Sequence, residues 1–149
     1  RVLPCWAVAA HFSVSPCVHH EGMRCRHPAL FWVANNSSKP GREDEGQWWV
    51  LHASPAWTEE HVDTPADIVA EKLLAAFQET TGFDTGPDEV VTHRWLYDRS
   101  EGGDQPGHLW FPENGIGLAG DWLSGGRVEG AFDSASGLVT ELTAAPVTQ

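Results

Sequence analysis

The run from Gly120 to Ala131, GDWLSGGRVEGA, holds the residue types best suited to chemistry. A strand ends at the carboxylate Asp121, two glycines follow (Gly125 and Gly126), and Arg127 and Val128 open a helix. Such an order presents free backbone N–H groups to an anion or a carbonyl oxygen, because the first turn of a helix cannot satisfy its own donors. Asp121 can accept hydrogen bonds from a polyol. The plainer reading is a tight strand–helix corner in which Asp121 acts as a cap. Gly115–Gly120 spells G-x-G-x-x-G, but these glycines lie within the strand and the helix starts several residues later. The match is therefore a decoy, since that motif works only between a strand and an immediate helix.

Three other groups of residues could do chemistry. Cys17, His19, His20, Cys25 and His27 crowd one loop, and all are possible zinc ligands. Their spacing fits no usual finger or ribbon, so a polar hairpin loop is expected and no metal is assigned. His52 lies mid-strand and faces the same way as Trp48 and Val50, which makes it either a hydrogen-bonded structural histidine or the lining of a pocket. Arg94–Trp95 reads as an ion pair beside a core aromatic, or as a pocket wall. Asn35–Lys39 could contact a substrate or simply form a turn.

The elements that position these residues follow from periodicity. Alternation gives strands over Cys5–Val14, Leu30–Asn36, Gln47–Ser54 and Glu89–Tyr97, with Trp6, Val8, Ala10, Phe12 and Val14 sharing one face of the first. A helix starts with Thr64 as N-cap, Pro65 at its first position and Asp67 in a capping box. It buries Ile68, Val69, Leu73, Ala76 and Phe77, and Gly82 ends it. Leu109–Phe111 and Ile116–Gly120 are short strands around a turn. In the last helix Val128, Ala131, Phe132, Ala135, Leu138, Val139 and Leu142 form an expected buried stripe. Gly130, Ser134 and Gly137 make a second, small-residue face that implies close approach of something. The fold class is α+β, a mixed and mainly antiparallel sheet packed with one or two helices.

Composition limits the function. The chain has 149 residues, 41% of them hydrophobic, with a net charge of −12 from nine Lys+Arg against 21 Asp+Glu. That balance disfavours nucleic acid and an anionic membrane surface, both of which want clustered positive charge. Three cysteines without a CxxC give no disulfide framework, so a reducing, cytoplasmic setting is expected. The eight tryptophans are expected in core or pocket wall.

The run Gly117–Ala131 resembles the C-terminal flavin motif of the renalase-like FAD/NAD(P)-dependent oxidoreductases, relatives of the amine oxidases. Four further stretches agree in order: Pro4–Ala9 (PCWAVA), Asn36–Arg42 (NSSKPGR), Trp49–Trp57 (WVLHASPAW) and His93–Tyr97 (HRWLY). The resemblance covers nearly the whole chain but only the second half of the family's pattern. It implies a substrate-binding domain over 1–112, then a final strand and helix over 113–149 that complete an FAD-binding domain. The strand–G-x-G-x-x-G–helix half that holds the pyrophosphate lies outside this sequence.

By this resemblance the cofactor is FAD, contacted through Gly120, Asp121, Gly126, Arg127 and Val128. Asp121 would bond the ribityl or pyrophosphate region. The helix N-terminus would face the pyrimidine side of the ring and favour the anionic reduced flavin. The implied activity oxidises a reduced nicotinamide-like or amine substrate, with electrons passed to oxygen. No catalytic side chain is required, because the flavin carries the chemistry. Trp48, His52 and Trp95 are the expected substrate pocket, and an N-terminal FAD-binding domain, in cis or in trans, is the expected partner. The competing reading is a binding module that keeps the fold without redox chemistry; a metal-binding protein rests only on the Cys/His loop.

Overall fold

The computed structural model describes residues 1–43 and 45–144. It is an α+β fold whose main sheet has five strands. These are β1 (Val2–Phe12), β2 (Gly22–Arg24), β3 (Leu30–Asn35), β4 (Gln47–Ala53) and β5 (Glu89–Ser100), in the order β2-β3-β4-β1-β5. β1 runs antiparallel to β4, with Ala7 opposite His52 and His11 opposite Trp48. β3 is antiparallel to both β4 and β2, with an irregularity between Leu30 and Trp32. Two compact units divide the chain: Leu3–Asp98, and the residues from Arg99 onward together with Arg1–Val2. The sequence-based boundary at 112/113 falls inside the second unit.

In the first unit, period-two alternation sends Trp6, Val8, Ala10 and Phe12 of β1, Val33 of β3, and Trp49 and Leu51 of β4 to one face, where all are buried. Helix α2 (Ala66–Thr81) covers that face through Val69, Leu73, Ala76 and Phe77. Each such large apolar side chain contributes about 1.5–3 kcal/mol when fully buried. The Phe77 ring lies 5.9 Å from Phe12 and 5.6 Å from Trp49, so helix and sheet meet through aromatics. Ile68, expected in the buried stripe, is exposed at the flank of the helix.

Two helix starts differ from expectation. Thr64 does not cap α2: the cap position is Pro65 and makes no side-chain bond, while Asp67 Oδ1 accepts from the N–H of Ile68. Gly82 ends the helix as expected, in the left-handed conformation that glycine adopts without steric cost, donating to the Gln78 carbonyl at 2.8 Å. A short helix, α1 (Pro55–Glu60), was not anticipated. Ser54 caps it by accepting from the Trp57 N–H at 3.3 Å, and Pro55 stands at its first position. α1 places Thr58 where its hydroxyl accepts from the Trp6 N–H, tying it to β1.

The second unit holds the hairpin β6 (Leu109–Phe111) and β7 (Ile116–Leu118), then a 3-10 turn over Asp121–Leu123 and helix α3 (Val128–Ala144). Leu123, Gly130 and Ser134 are its buried residues among those described.

Candidate functional site

The open face of the sheet in the first unit is aromatic. The same alternation that buries Trp49 and Leu51 turns Trp48, Val50 and His52 the other way, and strand register adds Ala7, Ala9 and His11 from β1 and Trp32 from β3. On β5, His93 and Trp95 point to the face opposite Arg94. Arg94 belongs to the helix side, where its guanidinium lies 5.6 Å from the Trp6 ring, pairs with Asp63 at 3.3 Å and donates to the Val62 carbonyl. Trp48, His52 and Trp95, the three residues expected to line a substrate pocket, therefore share one sheet face. Trp95 is 52% exposed and Tyr97 82%, while Trp48 and His52 are half-buried.

Local contacts fix several of these rings. His11 sits 5.2 Å from the Trp48 ring and its Nε2 is 2.9 Å from the Glu45 carbonyl oxygen. His93 meets Trp95 edge-on at 4.4 Å. Trp32 reaches back over Gly22, where an added Cβ would come within 2.7 Å of its ring. Trp32 and His11 were not singled out from the sequence as site residues. Strand register was the missing signal, because only pairing shows that they share the face of His52 and Trp48. The Asn35–Lys39 segment is a turn: Asn35 Oδ1 accepts from the Ser37 N–H, and the Ser37 hydroxyl accepts from the Trp48 N–H at 2.9 Å.

The glycine corner of the second unit is tightly closed. The Gly126 N–H donates to the Asp121 carbonyl at 2.8 Å, and the Gly120 N–H donates to the Ser134 hydroxyl at 3.0 Å. Both N–H groups are engaged within the corner, so neither is offered to a ligand. Gly125 and Gly126 take positive φ (85° and 68°), the left-handed region open to glycine, which lets the chain fold back on Asp121. The Asp121 side chain is exposed. Val128 and Glu129 occupy the first turn of α3, where the helix cannot bond their N–H groups.

Most of the α3 stripe expected to be buried is open: Val128 is 87% exposed and Phe132 73%, with Ala135, Val139 and Leu142 exposed as well, while Ala131 and Leu138 are half-buried and Leu138 packs over Gly117. The small-residue face makes close contacts. A Cβ at Gly130 would lie 2.0 Å from the Ser124 carbonyl oxygen, and one at Gly137 would lie 2.8 Å from the His108 ring. Ser134 binds Gly120, and His108 pairs with Glu141 at 2.7 Å. Close approach of the unit's own chain accounts for both glycines.

The Cys/His loop does not gather. Among the described residues no group of three or more His, Cys, Asp and Glu side chains could hold a metal ion. His27 Nε2 lies 3.1 Å from Glu79, and the Cys25 thiol leans on the Met23 carbonyl, its pKa pushed up by burial. No helix among the described residues is long and apolar enough to cross a membrane.

No protein-family model matches the chain.

Proposed function

We propose that the chain is the substrate-binding portion of a renalase-like FAD-dependent oxidoreductase, acting on a reduced nicotinamide-like or amine substrate with oxygen as electron acceptor. The observation that carries this reading is the shared face of Trp48, His52 and Trp95. A planar heterocycle needs broad apolar contact with a few polar groups to orient it, and this face offers tryptophan rings with histidines between them. FAD, when bound, supplies the redox chemistry.

The corner fits the cofactor in part. Asp121 keeps an exposed carboxylate for a ribityl hydroxyl, and the N-terminus of α3 carries the partial positive charge that an electron-rich ring favours. Gly120 and Gly126 shape the corner, with their N–H groups bonded within it. The exposed stripe of Val128, Phe132, Val139 and Leu142 supports a partner domain on α3, because apolar residues spaced by three and four on one helix side form a packing seam. We assign that role to an N-terminal FAD-binding domain, supplied in cis or in trans, in a cytoplasmic enzyme.

A second reading has one observation in its favour. The glycine corner satisfies itself internally, as it would in a binding module that uses no flavin. Titrating FAD while following flavin fluorescence separates the two. The chain alone should bind FAD weakly, since a few hydrogen bonds at about 0.5–1.5 kcal/mol each cannot offset the entropic cost of association. Adding the nucleotide-binding half of a renalase-like enzyme should raise the affinity, and Asp121→Ala should then lower it again. Sub-micromolar binding by the chain alone would overturn the half-site reading, and no binding with the added domain would favour the flavin-free module.

A further inference from the structure

On the helix-covered side of the first unit a cavity of about 290 Å³ opens between the flank of α2 and the segment that follows it. The helix contributes Glu71 and Leu74, one turn apart, with the Phe77 ring behind them. After Gly82 the chain returns without regular structure, and Phe83 and Asp84 form the facing wall. Packing fixes this wall at both ends. Phe83 meets Phe12 edge-on at 5.4 Å, and beyond the cavity the Asp88 N–H donates to the His11 carbonyl at 2.8 Å while Asp88 Oδ2 accepts from the Ser13 N–H at 2.6 Å. The cavity is thus held open by contacts that need no ligand.

Its lining is chemically one-sided. Phe12, Phe77, Phe83 and Leu74 supply rings and an aliphatic wall, and Glu71 and Asp84 are the charged groups; no lysine, arginine or histidine lines it. Neither carboxylate forms an ion pair among the described residues. Both carboxylates are exposed, so an anion would be repelled and a neutral apolar occupant would gain nothing from their charge. A cation with an apolar body meets both parts of the lining, its charge beside the exposed carboxylates and its apolar group against the half-buried Leu74 and Phe83, in front of the enclosed Phe12 and Phe77. The volume suits an occupant of about one ring, and the chain's net charge of −12 raises the local concentration of cations.

We propose that this cavity is a binding site for a small organic ammonium ion bearing an apolar group, independent of the aromatic sheet face. Titrating benzyltrimethylammonium into the protein, followed by amide chemical shifts, tests it. The Leu74, Phe83 and Asp84 signals should move saturably, and benzyl alcohol and benzenesulfonate should bind more weakly. The double variant Glu71→Gln/Asp84→Asn should bind the cation about three- to tenfold more weakly, as expected for losing two exposed charge contacts. Both sites are on the surface, and spectra unchanged elsewhere would establish that the variant folds; the single Asp84→Asn serves if it does not. The proposal is overturned if the cation produces no saturable shift, if benzyl alcohol binds equally well, or if the variant binds the cation unchanged.

Discussion

In the sheet unit the large side chains are inside: Val8, Leu30, Val33, Leu51 and Leu73 are fully enclosed, and Trp49, Phe12 and Phe77 nearly so. In the unit that ends with α3 the order is inverted. Gly130 and Ser134 are buried, while Val128, Phe132 and Val139 face outward. The first unit carries its own apolar core. The second encloses Leu123 as its one large buried apolar side chain among the described residues. It is otherwise held by backbone proximity, glycines and single contacts such as Leu138 over Gly117, Ser134 with Gly120 and His108 with Glu141. An amphipathic pattern tells which residues want burial. It does not tell whether the residues that bury them belong to the same unit.

Paired truncations should expose this contrast most strongly. Leu51→Ala removes a fully enclosed side chain and should cost about 2–5 kcal/mol, from lost transfer energy plus the cavity left behind. Phe132→Ala deletes a larger side chain but should change stability by no more than about 0.5 kcal/mol, because its ring is already in water. Urea unfolding of both variants measures the difference. A cost of several kcal/mol for Phe132→Ala would mean that its face is covered in the protein in solution. With an added FAD-binding domain the ranking should invert for complex formation, and Phe132→Ala should weaken association.

The next largest effect is expected at Gly130. Replacing a glycine within a helix by alanine ordinarily stabilises by up to about 1 kcal/mol, and Gly130 lies in the first turn of α3. Here the new Cβ would sit 2.0 Å from the Ser124 carbonyl oxygen, a backbone atom that cannot turn aside. Gly130→Ala should therefore destabilise the second unit by about 1–3 kcal/mol. Gly137→Ala should cost less, because its Cβ would meet the His108 ring, a side chain able to rotate. Hydrogen exchange across α3 in the two variants reads the order. Equal protection in both would show that the helix shifts freely against the turn before it.

Much of this fold could be read in the sequence where one element's pattern suffices. The alternation in β1 put Trp6, Val8, Ala10 and Phe12 on the inward face, though Val14 lies beyond the strand and is exposed, and Gly82 marked the end of α2. The grouping of Trp48 with His52 followed from the same period of two, since both lie on one strand. Trp32 and His11 joined that face only through pairing between strands, which a single sequence does not display. The second face of α3 misled for another reason. Gly130 and Gly137 signalled close approach correctly, but nothing local distinguished a ligand from the unit's own Ser124 and His108.

Cysteine reactivity offers a smaller test within the sheet unit. Cys17 is exposed, Cys25 is half-buried with its thiol pKa raised by desolvation, and Cys5 is enclosed. Alkylation of the native protein should proceed in the order Cys17, Cys25, Cys5, because the thiolate is the reactive form and access limits the rest. Mass spectrometry of timed samples gives the order. Cys5 reacting as fast as Cys17 would show that the core of this unit opens readily.

The smallest expected effect is an acid dependence located in the sheet unit. The Asp88 carboxyl is held below its ordinary value, first by a hydrogen bond from the Ser13 side chain and then by the Ser13 N–H, with the nearby His11 a lesser aid. A carboxyl whose pKa is lower folded than unfolded binds fewer protons in the native state. Its contribution is therefore complete above the unfolded value of about 3.9 and is lost as pH falls through the folded value. Asp88→Asn removes the titration. The native protein should then be the more stable of the two at neutral pH, with the gap between their urea midpoints narrowing only below about pH 4. Because Asp88 is exposed, solvent screens the effect, and it should be the least of those described. A gap that stayed constant from neutral pH down into the acid range would show that the asparagine acts through packing and not through the lost charge.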